Sequence, residues 1–412
     1  MRILIVNYRY FVSGGPEKYM FNIKELLEKK GHEVIPFSVH SNKNAETEYS
    51  KYFVEPIGGR GVTYFEEVKK TPKTIYQMIS RSIYSFEVER AIKKEINEVK
   101  PDLVYIIHFV NKLSPSVIHG AKKMGLPVVM RLSDYHLLCP SFHFLYKKHI
   151  CEKCLTNGLR QCIRQKCIKN SLFASVIRVI AMKIHYAFKL YEEIDAFVSP
   201  SEFLKDKMHD NGFGKARIEC IPTFINLKDE VKDAYIGNYG LYIGRVSEEK
   251  GVEYIVKAYE QIPDHSLMIM GDDSTEEALR LKQYIKKNQI KNIIFTGFKS
   301  GKEFADIVKK SRFTVVSSIC YENLPNTALE SFYYYKPIIA SNIGSLAELV
   351  EDSSNGLLFE PGNVEQLRRC IRKMDDDVLV ENYGKRCRAI IDTKYSAEAH
   401  YFKLISLFNS LV

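Results

Sequence analysis

The chain has no long apolar run. None of its 412 residues falls in a stretch of about 18 uncharged apolar residues, which argues against a transmembrane helix. It also lacks the look of a secretory leader. MRILIVNYRY has too short an apolar run and leads into SGGPE, so it is expected to be a first strand. A cytoplasmic protein is therefore expected, and in that compartment the nine cysteines should be thiols or metal ligands and not disulfides. Acidic side chains are nearly missing from 141–190. There Lys147, Lys148, Lys153, Arg160, Arg164, Lys166, Lys169, Arg178, Lys183 and Lys189 stand against Glu152 alone. This block holds most of the net charge of +10 and implies an anionic partner: phospholipid, a lipid-linked phosphate or nucleic acid.

What is present suggests two globular domains. The length exceeds one ordinary core, and a 45% hydrophobic, 27% charged composition is that of a soluble globular chain. Strand-like and helix-like segments alternate. RILIVNY, EVIPFSV, DLVYIIHF, PVVMRLS, DAFVSPS and RIECIPT are the expected strands of a first domain, with one helix over about 74–99. After a polar linker near Phe224–Asn238 come YGLYIGR, SLMIMG, NIIFTGF, RFTVVSS and PIIAS, with VSEEKGVEYIVKAYEQI as the first helix between them. Such alternation predicts parallel sheets with right-handed crossovers.

The chain is organised around SSICYENLPNTALESFYYYKPIIASNIGS, residues 317–345. A strand ends there, a helix starts near Pro325, and Pro337 stops it. Glu322 lies on the loop and Glu330 in the first turns of the helix. The amides of Asn326 and Thr327 would hold a phosphate at the helix start, and Glu330 would accept hydrogen bonds from a vicinal diol. Taken alone, both glutamates read as ordinary surface charges. Arg245 and Lys250, in IGRVSEEKG, follow another strand end, and Gly14-Gly15 follows the first strand. Alone, these are a solvated pair of charges and a turn.

Together the motifs resemble the retaining glycosyltransferases of family 4. The spacing E-x7-E, the following PIIAS and GSLAELV, EDSSNGLLFEPGNVEQL (351–367), GRVSEEKG, and the GGPE loop with Glu17 all carry that resemblance. It implies an α/β protein of the GT-B fold, two Rossmann-like doubly wound domains facing across a cleft. The expected boundaries are 1–228 for the acceptor-side domain, 236–380 for the nucleotide-sugar domain, and 381–412 for helices packing back on the first. A basic, cysteine-bearing insert is expected at about 139–190. By the resemblance Glu322 faces the donor sugar, Glu330 binds the ribose, and Arg245 and Lys250 grip the diphosphate. Gly14, Gly15, Asn323, Leu324, Asn326 and Thr327 complete the donor site. The expected activity is transfer of a sugar from a UDP- or GDP-sugar to a saccharide or lipid-linked acceptor, without a catalytic metal. A sugar-nucleotide epimerase or hydrolase, and a basic nucleic-acid binder, are the alternatives.

RLSDYHLLCP (131–140) matches a family stretch that often carries a histidine before the aspartate. Here Ser133 takes that place, leaving Asp134 and His136 as the catalytic candidates, with His108 a weaker one. Cys151, Cys154, Cys162 and Cys167, with Cys139 nearby, are four candidate ligands of a structural zinc. SLFASVIRVIAMKIHYAFKL (171–190) has apolar residues near helical period, among them Leu172, Val176, Val179, Ile180, Ile184 and Phe188. It is expected either to lie buried on the sheet or to meet an anionic membrane, peripherally on the inner face of the plasma membrane.

Overall fold

The computed structural model describes every residue except 60, 61, 63–66, 228, 230 and 232. β-branched and apolar runs form two six-stranded sheets. The first comprises β1 (Arg2–Asn7), β2 (Glu33–Phe37), β3 (Leu103–His108) and β4 (Val128–Arg131). A small hairpin, β5 (Leu145–Tyr146) and β6 (His149–Ile150), interrupts it before β7 (Ala196–Ser199) and β8 (Ile218–Cys220). The second is β9 (Tyr239–Ile243), β10 (Ser266–Met270), β11 (Ile293–Gly297), β12 (Phe313–Val316), β13 (Ile338–Ser341) and β14 (Gly356–Phe359). Their orders are β2-β1-β3-β4-β7-β8 and β11-β10-β9-β12-β13-β14, and the neighbours within each are parallel. Apolar clusters cover both faces of each sheet, as parallel sheets require.

Local chemistry redraws two of the expected helices. The 74–99 segment is two helices, Pro72–Ile83 and Phe86–Val99, because Ser85 caps the second by accepting from the Val88 amide. After β9 a short turn of helix, Glu248–Lys250, ends at Gly251 in the left-handed region, and Val252–Glu260 starts afresh.

The tail crosses back later than 381. The helix Asp377–Thr393 stays on the second domain, with Cys387 and Ile391 in its core. Ala397–Asn409 then packs Leu404, Leu407 and Phe408 among Ile3, Ile5 and Tyr105 of the first. Three residues of the expected linker, and the end of the expected first domain, lie outside the described residues. The insert holds the β5–β6 hairpin and the helices Lys153–Asn157, Arg160–Gln165 and Leu172–Ala187. Among the described residues no helix is long and apolar enough to cross a membrane.

Candidate active site

Each sheet has a place where the strand order reverses, and ligands of such sheets lie beyond the carboxyl ends of the strands there. In the second domain that place is between β9 and β12. Arg245 and Lys250 follow β9; Glu322 follows β12. The two loops are tied together by the Ser317 hydroxyl donating to the Lys250 carbonyl at 2.8 Å and the Ile319 amide donating to the Glu249 carbonyl at 3.0 Å. Gly251 makes the approach feasible. Its φ is +65°, and a Cβ there would lie 2.1 Å from the Ser317 carbonyl oxygen.

Lys250 Nζ stands 2.5 Å from Glu322 Oε1, and the Ser318 hydroxyl donates to the same oxygen. Burial works against charge on Glu322, but Lys250 and Ser318 outweigh it and hold the carboxyl below its usual range. Burial likewise opposes the Lys250 charge, and Glu322 overcomes it and raises that group. Both therefore stay ionised at neutral pH. Arg245, 70% exposed, reaches Glu249 at 3.3 Å.

The helix Asn326–Tyr333 begins after Pro325 with no side chain capping its amino end. That leaves the positive end of the helix dipole at the cleft, with the amides of Asn326 and Thr327 in its first turn. Glu330, one turn on, is buried and pairs with Lys18 from the first domain. Gly15 lies opposite: a Cβ on it would sit 3.7 Å from Asn326 Nδ2. The glycine pair thus lets the first domain's backbone come close to the helix start. Lys18, Asn22, Asn226, Asn326 and Glu330 line a small pocket at this seam. Asn323 is drawn the other way, donating to the Leu132 carbonyl at 2.6 Å. Leu324 packs against the helix core around Ala328 and Leu329.

Across the cleft, beyond β3 and β4, Asp134 joins two histidines. His108 Nε2 is 2.8 Å from its Oδ2 and His136 Nδ1 is 2.5 Å from its Oδ1. Burial disfavours the Asp134 carboxylate, yet the two imidazoles hold it well below the usual range. Burial pushes His136 down, against the pull of Asp134. His136 is only 3% exposed, packs edge-on against Phe109 and does not reach the cleft. Both histidines contact the Asp134 carboxylate directly, His136 from the buried side and the less buried His108 through its other oxygen. Ser133 turns inward to the Ile107 carbonyl at 2.7 Å.

Three contributors had little or no signal in the sequence. The Tyr135 hydroxyl donates to the Glu322 carbonyl across the cleft at 2.9 Å, and the Ser345 hydroxyl, from the same domain as Glu322, donates to it at 2.7 Å. Lys18 is the third, and only its place beside the GGPE loop hinted at it.

The cysteines do come together. Cys151 and Cys167 both point their thiols at Gln165 Oε1, at 3.5 and 3.6 Å, and the Cys167 amide donates to the Cys162 carbonyl at 3.1 Å. Burial pushes the Cys154 thiol up to about 12. Among the described residues no three His, Cys, Asp or Glu side chains are grouped to hold a metal ion. With Gln165 between the thiols, their present arrangement does not fit a four-thiolate zinc site.

Comparison with known proteins bears on the fold. An uncharacterised glycosyltransferase of Methanocaldococcus jannaschii is 30% identical over 195 residues, covering 47% of this chain and 54% of that protein. An uncharacterised 42.6 kDa protein in the cps region of Klebsiella pneumoniae is 24% identical over 362 residues, 85% of this chain and 87% of its own. The match therefore spans about half the length of the first relative and most of the second. Sucrose-phosphate synthase from Thermosynechococcus elongatus superposes with a TM-score of 0.72 at 18% identity, over 100% of this chain and 98% of that one. The chain thus has the GT-B fold of glycosyltransferases, and its residues 233–391, which carry Arg245, Lys250, Glu322 and Glu330, match the family Glycosyl transferases group 1.

Proposed function

We propose that the chain transfers a sugar from a UDP- or GDP-sugar to a saccharide or lipid-linked saccharide, with retained anomeric configuration, in the synthesis of a cell-surface polysaccharide. The observation that carries this reading is the grouping of Glu322, Glu330, Arg245 and Lys250 around one uncapped helix start at a switch point. In this reading the ribose diol donates to Glu330, displacing Lys18. The diphosphate lies against the Asn326 and Thr327 amides, with Arg245 and Lys250 on its other side. The sugar then extends toward Glu322 and Asp134.

The bond between the anomeric carbon and the diphosphate oxygen breaks, and its electron pair leaves with the diphosphate. The acceptor oxygen bonds to the same face of the anomeric carbon, and its proton passes to the departing diphosphate. Charge growing on that group is met by two cations and a helix end, so the mechanism needs no metal. The test is a donor panel scored by released nucleoside diphosphate, with and without acceptor and EDTA. Acceptor-dependent release unaffected by EDTA is expected. Free sugar formed from donor alone would mark a hydrolase or epimerase, and activity lost to EDTA and restored by magnesium would overturn the mechanism.

A further inference from the structure

The helix Leu172–Ala187 is turned inside out. Its inner side carries Ser175, Arg178 and His185, all buried along with Val179, Ala181 and Met182. Arg178 donates to the His136 carbonyl at 3.0 Å and stacks over Phe142. Its outer side holds Phe173 and Ile180, exposed by 65% and 45%, and Phe188, exposed by 73%, caps its end. Val176, Ile177 and Ile184, at matching helical spacing, are half-buried beside them. An apolar stripe of this kind on a water-facing helix marks an interaction surface. The neighbouring helix Pro72–Ile83 packs against it and adds exposed Ile75 and Tyr76.

The charge around the stripe identifies what covers it. Neither 68–86 nor 153–191 contains an aspartate or glutamate. Exposed Lys69, Lys70, Lys73, Arg164, Lys166 and Lys183 lie along these segments. A second copy would set cations against cations, since a two-fold interface pairs a patch with itself. A bilayer with anionic headgroups satisfies both features, taking the aromatic and aliphatic side chains at the acyl boundary and the cations at the headgroups. We propose that this two-helix surface docks the first domain onto an anionic membrane. The same helix, through Arg178 and His136, supports the loop bearing Asp134, so docking would hold the acceptor side of the cleft near the lipid. The inference stands apart from the reading of the cleft, because its test measures binding and not transfer.

The test is co-sedimentation of the full chain with vesicles of phosphatidylcholine alone and of phosphatidylcholine mixed with phosphatidylglycerol. Binding to the mixed vesicles only, weakened by salt, is expected. Phe173→Ser combined with Phe188→Ser, and separately Lys183→Glu, should each weaken it about tenfold. All three residues are exposed, so thermal melting should stay unchanged. Equal binding to both vesicle types, or to neither, would overturn the proposal. So would a concentration-dependent dimer in sedimentation velocity that the double serine variant abolishes, which would make a second copy the occupant.

Discussion

Glu330 is buried and Glu322 partly so, each beside a lysine, but their partners differ. Glu330 meets Lys18, which comes from the other domain and is partly exposed, so a ribose can replace that lysine at little cost. Glu322 is held on one oxygen by Lys250 and Ser318 from its own domain and by backbone contacts from Tyr135 and Ser345. It is therefore a fixed charge. Glu330→Gln should raise the donor KM by about 10–100-fold with a smaller change in kcat, since hydrogen bonds to a charged acceptor are lost. Glu322→Gln should lower kcat by about 100-fold or more with little change in KM, the signature of an interaction made mainly in the transition state. Steady-state kinetics on the two variants separates the roles, and the reverse pattern would exchange them.

At the scale of elements, one glycine joins the two loops that make the site. Gly251 ends the turn carrying Lys250 and touches the loop leading to Glu322. Gly251→Ala would need a left-handed conformation and would push its Cβ into the Ser317 carbonyl. The loops must then part and the Lys250–Glu322 pair lengthen. A fall in kcat/KM of about 100-fold, with a cooperative melt retained, is expected from kinetics alongside calorimetry.

The positions of these loops were legible in the sequence, because strand ends and helix starts leave local marks. The β-branched RFTVVSS, the proline at 325 and the basic pair after YGLYIGR mark the strand ends and the helix start on which Glu322, Glu330, Arg245 and Lys250 lie. Contacts between distant segments leave no such mark. Lys18 on Glu330, Tyr135 on the Glu322 carbonyl and His108 on Asp134 join residues far apart in the chain, and only the tertiary fold chooses them. The 171–190 helix shows a further limit. Hydrophobic period gives a helix a face but not the direction that face points. Arg178 looked like an outward charge, yet it is buried because the His136 carbonyl and the Phe142 ring receive it.

The chain passes between its domains a second time at the end of the second one, and the seating of that return depends on one histidine. His400, in the helix Ala397–Asn409, is buried against Phe224 and Tyr19. Its Nδ1–H donates to the Pro222 carbonyl at 2.7 Å, and its Nε2 accepts from the Tyr19 hydroxyl at 3.0 Å. The first bond survives protonation, but the second requires an unprotonated Nε2 and so the neutral ring. Burial, with Arg131 nearby, pushes the group down from 6.5 to about 3. The unfolded chain therefore binds a proton near pH 6.5 that the folded chain refuses until far lower. Stability is full above about 6.5 and is lost as pH falls toward 3. His185, pushed down by burial to about 4, acts in the same direction where it joins Leu172–Ala187 to the end of Pro72–Ile83. Melting followed from pH 7.5 to 5 should show a falling midpoint. His400→Phe, which keeps the ring packing but removes the proton site, should be less stable at pH 7.5 and lose less between the two pH values. Hydrogen exchange at pH 5 should locate the early opening in residues 397–409, since releasing that helix frees His400 to protonate. Parallel pH dependence in the wild type and the variant would assign the acid sensitivity to other groups and leave the return helix a packing element alone.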